Sequence, residues 1–327
     1  MSGLTAIVPC YNEGAQVDLA YREVCEALGT VEDLELLFID DGSRDDTLER
    51  IRRIAAADPR VHYVSFARNF GLPAAVTAGF RYAARPWAVQ LDADMQFPAG
   101  ETWKLLDTAA EGYDVVFGVR ADRKDSALRR LGAAGAHWVA RKVLKVEVPQ
   151  GATSFRVVRT EVGRTVVNLP TGNSHFVAKA PHVGARCATV PVAHRERSAG
   201  TSKFRLGRLA GDAFELWFGF SWRPLNAVYL LAALAAFAAV LLSVLGIVGA
   251  VGATALLVTA LLVSASAVVG VAVVGRYLFR RMMDVRPRRI YYVREANIPV
   301  SDEDMLDHGV PAPPPPRRTT GATAVLR

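Results

Sequence analysis

The chain has 327 residues, 51% of them hydrophobic and 22% charged, with a mean hydropathy of +0.18. These values exclude global disorder, a collagen-like chain and a long coiled coil, and they are apolar enough to call for a search for membrane segments. The net charge of +7 suits an anionic partner, whereas Cys10, Cys25 and Cys187, without metal-type spacing, speak against a disulfide scaffold or a zinc site and fit a reducing compartment.

Met1 to Glu13 lacks a basic segment followed by a long apolar core, so it does not read as a signal peptide. Leu4–Val8 reads instead as a buried first strand. Further strand-like runs are Leu34–Ile39, Val61–Phe66, Ala88–Leu91 and Val115–Val119, with helix-like stretches between them, among them Thr47–Ala57 and Pro73–Ala84. Ser43 and Asp46 offer the helix at Thr47 a capped start. Strand and helix in alternation predict an α/β sandwich with a largely parallel sheet. In such a sheet ligands bind beyond the carboxyl ends of the strands.

Residues 203–222 place Phe204, Leu206, Leu209, Ala213, Phe214, Leu216 and Trp217 among charged positions at helical spacing, which predicts an amphipathic helix lying on a membrane. From Pro224 to Gly275 there is no Asp, Glu, Lys, Arg or His. A span needs roughly 20 apolar residues, so this stretch predicts two transmembrane helices, about 226–247 and 253–275, broken at Gly246, Gly249 and Gly252. Lys203, Arg205, Arg208 and Arg223 flank the first, and Arg276, Arg280, Arg281, Arg286, Arg288, Arg289 and Arg294 follow the second. The positive-inside rule then puts both termini in the cytoplasm. The domain expectation is a cytoplasmic catalytic domain over 1–202, the juxtamembrane helix over 203–223, the hairpin over 224–275, a basic cytoplasmic segment over 276–298, and a disordered proline-rich tail over 299–327. The membrane accounts for much of the positive balance, and no RNA- or DNA-binding motif is visible, so nucleic acid is not an expected partner.

Three polar clusters sit where strands end: Pro9-Cys10-Tyr11-Asn12-Glu13, Asp40-Asp41-Gly42-Ser43 and Asp92-Ala93-Asp94-Met95-Gln96. Each alone is weak, because Asp-Asp-Gly-Ser is commonly a turn with a helix cap and Asp-x-Asp is frequent by chance. Their order and their shared edge make the set specific. Arg68-Asn69-Phe70-Gly71 follows the third strand, and Gly118-Val119-Arg120 closes the fifth. Arg123, Asp125, Ser126, Arg129 and Arg130 come next, then Ser154-Phe155-Arg156, and then the block from His194 to Lys203.

On these motifs residues 4–205 resemble glycosyltransferase family 2, whose fold is GT-A, a Rossmann-like α/β nucleotide-sugar domain. With the hairpin and Arg294-Glu295 the resemblance extends over about 4–296 and narrows to the polyprenyl-phosphate glycosyltransferases, including dolichyl-phosphate mannose synthases. The stretches 120–130 and 194–203 look most like the undecaprenyl-phosphate aminoarabinose transferase.

The resemblance implies a GT-A domain that moves a sugar from a nucleotide sugar, UDP-linked by the nearest likeness, to a polyprenyl phosphate of undecaprenyl type, with inversion. It implies that Asp94 and Gln96 contact Mg²⁺ or Mn²⁺, with Asp92 beside them and near the nucleotide. Pro9, Tyr11, Glu13, Asp40, Asp92 and Ala93 would hold the nucleotide. Asp94, Arg197 and Lys203 would serve catalysis, while Arg120, Arg129, Arg130, Lys179, Arg197 and Lys203 would hold phosphates. Arg suits bidentate phosphate contact and Lys acts as a point charge. Some relatives carry Asp where this chain has Ser154. A phosphate monoester is already mostly a dianion at neutral pH, so the nucleophile needs no general base. Ala232, Ala235, Ala236 and Ala239 permit close helix packing, and relatives imply self-association. The competing expectations are a GDP-mannose-dependent mannosyltransferase, a membrane transferase with another glycan or lipid acceptor, and a non-catalytic membrane scaffold that keeps the fold.

Overall fold

The computed structural model describes residues 3–121, 149–169, 176–195, 223–249, 252–285 and 289–306. An eight-stranded sheet runs through these residues, built from β1 (Leu4–Cys10), β2 (Leu34–Asp40), β3 (Val61–Phe66), β4 (Trp87–Gln90), β5 (Val115–Arg120), β6 (Arg156–Arg159), β7 (Cys187–Val192) and β8 (Val293–Ala296). Their order is β7-β5-β6-β4-β1-β2-β3-β8. β1 to β5 and β7 point the same way, whereas β6 runs antiparallel to β4 and β5, and β8 antiparallel to β3. This is a GT-A-like mixed sheet.

β1 and β2 are buried along their whole length, as runs covered on both faces must be. Leu4, Ala6 and Val8 face one layer with Leu36 and Phe38. There α1 (Gly14–Leu28) buries Val17, Ala20, Val24 and Leu28, at helical spacing, and α2 (Thr47–Ala57) buries Ile51 and Ile54. The same layer takes Leu105 and Leu106 of α4 (Thr102–Ala110). Ile7, Leu37 and Ile39 face the other layer, formed by α3 (Leu72–Tyr82), α5 (Thr160–Asn168) and α6 (Phe176–His182). α3 packs close to β1, since a Cβ on Gly79 would lie 2.3 Å from Ile7 Cγ2.

α7 (Arg223–Ile247) and α8 (Ala253–Val285) pack against each other. Leu225–Gly246 and Ala253–Phe279 are long and apolar enough to cross a membrane, with mean hydropathies of 2.6 and 2.5. At about 1.5 Å per residue each covers a hydrocarbon core of about 30 Å. Their side chains are not a soluble core: Leu230, Phe237 and Val271 are 62%, 68% and 73% exposed. α8 continues past the expected end at residue 275 to Val285.

The chain beyond the hairpin departs most from expectation. Residues 293–296, assigned to a basic segment, form β8 and extend the sheet at β3. Residues 299–306, assigned to a disordered tail, fold back on the domain, and Asp304 is buried. Its carboxylate accepts from Arg81 Nη1 at 2.8 and 2.9 Å, from Tyr82 Oη at 2.5 Å and from Tyr291 Oη at 3.0 Å. Burial raises the Asp304 carboxyl, but the hydrogen bonds from Tyr82 and Arg81 outweigh it and hold the group below the usual range. Tyr291 stacks on Phe66 with centroids 4.7 Å apart. A charge-assisted cluster plus a stacked ring pair supplies enough contact to order a short polar segment. Residues 307–327 and the expected amphipathic helix at 203–222 lie outside the described residues.

Candidate active site

Parallel strands deliver their following loops to one edge, and here that edge carries all three polar clusters. Register pairs Cys10 with Asp40 and Asp40 with Ser65. β6 enters from the same edge, because Gln90 at the end of β4 pairs with Arg156 at the start of β6.

The first three loops are tied to one another. Asn12, with φ of 54°, donates its N–H to Ser43 Oγ at 2.9 Å and accepts at Oδ1 from the Arg44 N–H at 2.9 Å. The Glu13 N–H donates to Thr47 Oγ1 at 2.9 Å. Asp40 is fully buried, accepting from the Ser43 N–H at 3.0 Å and from Ser65 Oγ at 2.7 Å. Asp41 accepts from the N–H groups of Phe70 and Gly71 at 2.6 and 2.8 Å, which fixes the entry to α3. Burial raises the Asp41 carboxyl above its usual range, and those two donors only partly offset it. Gly42, at φ of +66°, is required because a Cβ there would lie 2.4 Å from the Arg68 carbonyl carbon. The expected cap of α2 is corrected. Ser43 serves Asn12, Asp46 makes no cap bond and pairs with Arg50 at 2.7 Å, and Asp45 accepts from the Thr47 N–H at 3.1 Å.

The fourth loop is a tight turn. The Met95 N–H donates to the Asp92 carbonyl at 3.0 Å with Met95 at φ of 47°, and the Gln96 N–H reaches Asp94 Oδ1 at 3.3 Å. Ala93 and Met95 point into the core, leaving Asp92, Asp94 and Gln96 half-buried. Ser154, just before β6, donates its hydroxyl to Asp92 Oδ2 at 2.8 Å. Among the described residues no three His, Cys, Asp or Glu side chains cluster to hold a metal by themselves. Two carboxylates and an amide oxygen form a partial hard-donor set, which fits an ion such as Mg²⁺ that keeps waters and takes substrate phosphates as ligands.

The edge thus gathers the expected Pro9, Tyr11, Glu13, Asp40, Asp92, Ala93, Asp94 and Gln96, with Tyr11 exposed and Pro9 buried. Arg120 stands exposed at the end of β5. Lys179 is buried on α6 and lines a cavity of about 310 Å³ with Ser154, Gln90 and Arg156. Arg129, Arg130, Arg197 and Lys203 lie outside the described residues. Two features escaped the sequence reading. Asp41 holds the third loop, and Arg156, quoted within Ser-Phe-Arg without a role, is a buried cation in that cavity.

The chain has relatives among known proteins. Residues 5–157 match the family model for glycosyl transferase family 2. The chain is 32% identical over 231 residues to an undecaprenyl-phosphate 4-deoxy-4-formamido-L-arabinose transferase of Shewanella sediminis, covering 70% of each protein. It is 31% identical over 232 residues to the like-named protein of Pseudomonas aeruginosa, covering 70% of this chain and 68% of that one. Among solved structures, a mannosyltransferase of Pyrobaculum calidifontis in complex with GDP-Man and Mn²⁺ aligns with a TM-score of 0.47 at 21% identity, over 82% of this chain and 86% of that one.

Proposed function

The chain belongs to glycosyltransferase family 2, and we propose that it moves a sugar from a nucleotide sugar, with UDP as the nucleotide, to a membrane-embedded polyprenyl phosphate. The observation that carries this reading is the Asp92–Asp94–Gln96 turn beside Ser154, on a sheet edge in a chain that also bears two helices of membrane-spanning length. The relatives named for undecaprenyl phosphate support the lipid acceptor.

In this reading Pro9, Tyr11, Glu13 and Asp40 hold the nucleoside end of the donor, and Asp92, with Ala93, lies against its ribose and diphosphate. Asp92, Asp94 and Gln96 would hold Mg²⁺ or Mn²⁺, which supplies positive charge to the departing diphosphate. An oxygen of the acceptor phosphate attacks the anomeric carbon. That C–O bond forms as the bond to the nucleoside diphosphate breaks, and the diphosphate leaves with the electron pair. No proton has to move, because the nucleophile is already an anion at neutral pH. Ser154 therefore serves as a positioning donor to Asp92 where some relatives carry a carboxylate. The barrier falls through alignment and charge stabilisation. Arg120, Arg129, Arg130, Lys179, Arg197 and Lys203 are the cations offered to the phosphates. The two helices hold the catalytic domain at the cytoplasmic leaflet with both termini inside.

The test is transfer by detergent-solubilised full-length protein with Mg²⁺ or Mn²⁺, undecaprenyl phosphate and a panel of UDP- and GDP-sugars including GDP-mannose. One UDP-sugar should give an inverted lipid-linked product. A product of retained configuration would remove the single-displacement mechanism, and turnover with GDP-mannose alone would reassign the donor.

A further inference from the structure

A second chemical environment adjoins the strand-end carboxylates. The cavity of about 310 Å³ lies between α3, the start of β6, α5 and α6. Its polar lining includes Gln90, Ser154, Arg156 and Lys179, with the hydroxyls of Thr77 and Thr153 donated to the Pro73 and Gly118 carbonyls, and its apolar lining includes Leu72, Val76, Val166 and Phe176. Arg156 is only 5% exposed. Its Nη2 donates to Gln90 Oε1 at 2.5 Å, and its guanidinium lies 3.8 Å from the centroid of the Phe176 ring. Its Nε is buried and has no hydrogen-bond partner among the described residues. Burial pulls its pKa down to about 9, so it stays a cation at neutral pH.

Burying a cation with an unmet donor is costly unless something compensates it. Asp92 supplies some opposing charge nearby, but no side chain among the described residues accepts from Nε. Lys179 adds a second buried cation on the same wall. Two cations against an apolar wall match a ligand with an anionic head and an apolar stem. A free sugar would set its hydroxyls against Leu72, Val76 and Phe176 without partners, at a cost for each. Ser154 joins the two environments, since it lines the cavity and donates to Asp92.

We infer that this cavity takes the head of the acceptor, a phosphate monoester on a branched apolar chain, with Arg156 and Lys179 holding the phosphate and the α3–α6 wall holding the first part of the chain. The inference rests on the lipid-phosphate acceptor proposed above and assigns it a seat. Arg156 offers a buried guanidinium and Lys179 a point charge. A phosphate seated there reaches the reacting centre from the Ser154 side, with the nucleotide on the other side of Asp92.

Calorimetric titration of the detergent-solubilised full chain with farnesyl phosphate, inorganic phosphate and UDP tests this, in the wild type, Arg156→Met and Lys179→Gln. Each substitution should weaken farnesyl phosphate by about tenfold or more, as loss of one charge-assisted hydrogen bond does, and leave UDP unchanged. Unaltered farnesyl phosphate affinity in both variants overturns the assignment, and if Arg156→Met does not fold, Lys179→Gln decides alone. Inorganic phosphate binding as tightly as farnesyl phosphate would make this a free-phosphate site and overturn the acceptor seat. If the wild type transfers sugar to lipid phosphate while both variants bind it normally, only this inference fails. If the wild type binds UDP and no prenyl phosphate, the acceptor reading and this inference fall together.

Discussion

The Asp40–Asp41 pair and the Asp92–Asp94 pair stand at strand ends on the same edge, yet their surroundings differ. Asp40 and Asp41 are buried, and three of their four contacts are to backbone N–H groups, one in their own loop and two in the loop after β3. Asp92 and Asp94 sit half-buried on a turn held by its own backbone, with core contacts made by Ala93 and Met95, which alternate with them. Asp41 belongs to the frame of the edge, Asp40 belongs to the frame and, in the proposed reading, to the nucleoside pocket, and the second pair is presented on the edge. A motif of adjacent carboxylates therefore divides into scaffold and chemistry by burial, which spacing in the sequence does not reveal.

Substitutions separate the two pairs. The largest effect should come from Asp94→Asn, which removes a charge from the proposed metal set with little change in packing. Metal-dependent turnover should fall by about a hundredfold or more, while the urea midpoint stays at the wild-type value. A large loss of stability in this variant would mean that Asp94 belongs to the scaffold after all. Asp41→Ala should behave in the opposite way. It strands the Phe70 and Gly71 N–H groups, worth about 1–3 kcal/mol each, with partial relief from removing a buried carboxylate, so a loss of about 2–3 kcal/mol is expected from urea unfolding. Loss of turnover at full stability would instead place Asp41 in the chemistry.

A third prediction concerns the C-terminal clasp. Asp304→Asn should cost about 1–3 kcal/mol by removing an ion pair with Arg81 and weakening two tyrosine hydrogen bonds. The pH dependence follows from the direction of its shift. A carboxyl whose folded pKa is depressed contributes fully above its unfolded value of about 4, and that contribution is lost as pH falls through the folded value. Asp58, held down to about 2 by hydrogen bonds from Arg60, behaves alike. Unfolding midpoints should therefore drop on acidification below about pH 4, and Asp304→Asn should flatten part of that drop. The smallest effect should be Ser154→Ala, which removes one hydrogen bond to Asp92 and should slow transfer by about tenfold at most. Its pH profile should keep the rise near pH 6 that belongs to the acceptor phosphate.

Much of this was legible in the sequence. β1 to β3 and α2 start where expected, because buried apolar runs bounded by Asp, Asn and Gly carry a strong local signal. β4 starts and ends one residue earlier than expected, and β5 ends one residue later. β8 was not legible, since Val293-Arg-Glu-Ala has no apolar run and pairs with a strand more than two hundred residues earlier. Asp304 was hidden for the same reason: its partners Arg81 and Tyr82 lie far off in the chain, and proline-rich sequence follows it. At the site, the strand-end clusters pointed to one edge without pairing information. The burial of Arg156 needed α6 and β6 in place before it could be seen.

The account turns on lipid-dependent chemistry at Asp94. The most direct measurement is nucleoside diphosphate release by wild type and Asp94→Asn side by side, with Mg²⁺ or Mn²⁺ and a UDP-sugar, in the presence and absence of undecaprenyl phosphate. The account predicts release that requires the lipid in the wild type and is nearly absent in Asp94→Asn, whose UDP binding and folding are retained. Release indifferent to the lipid, or undiminished in Asp94→Asn, would contradict it.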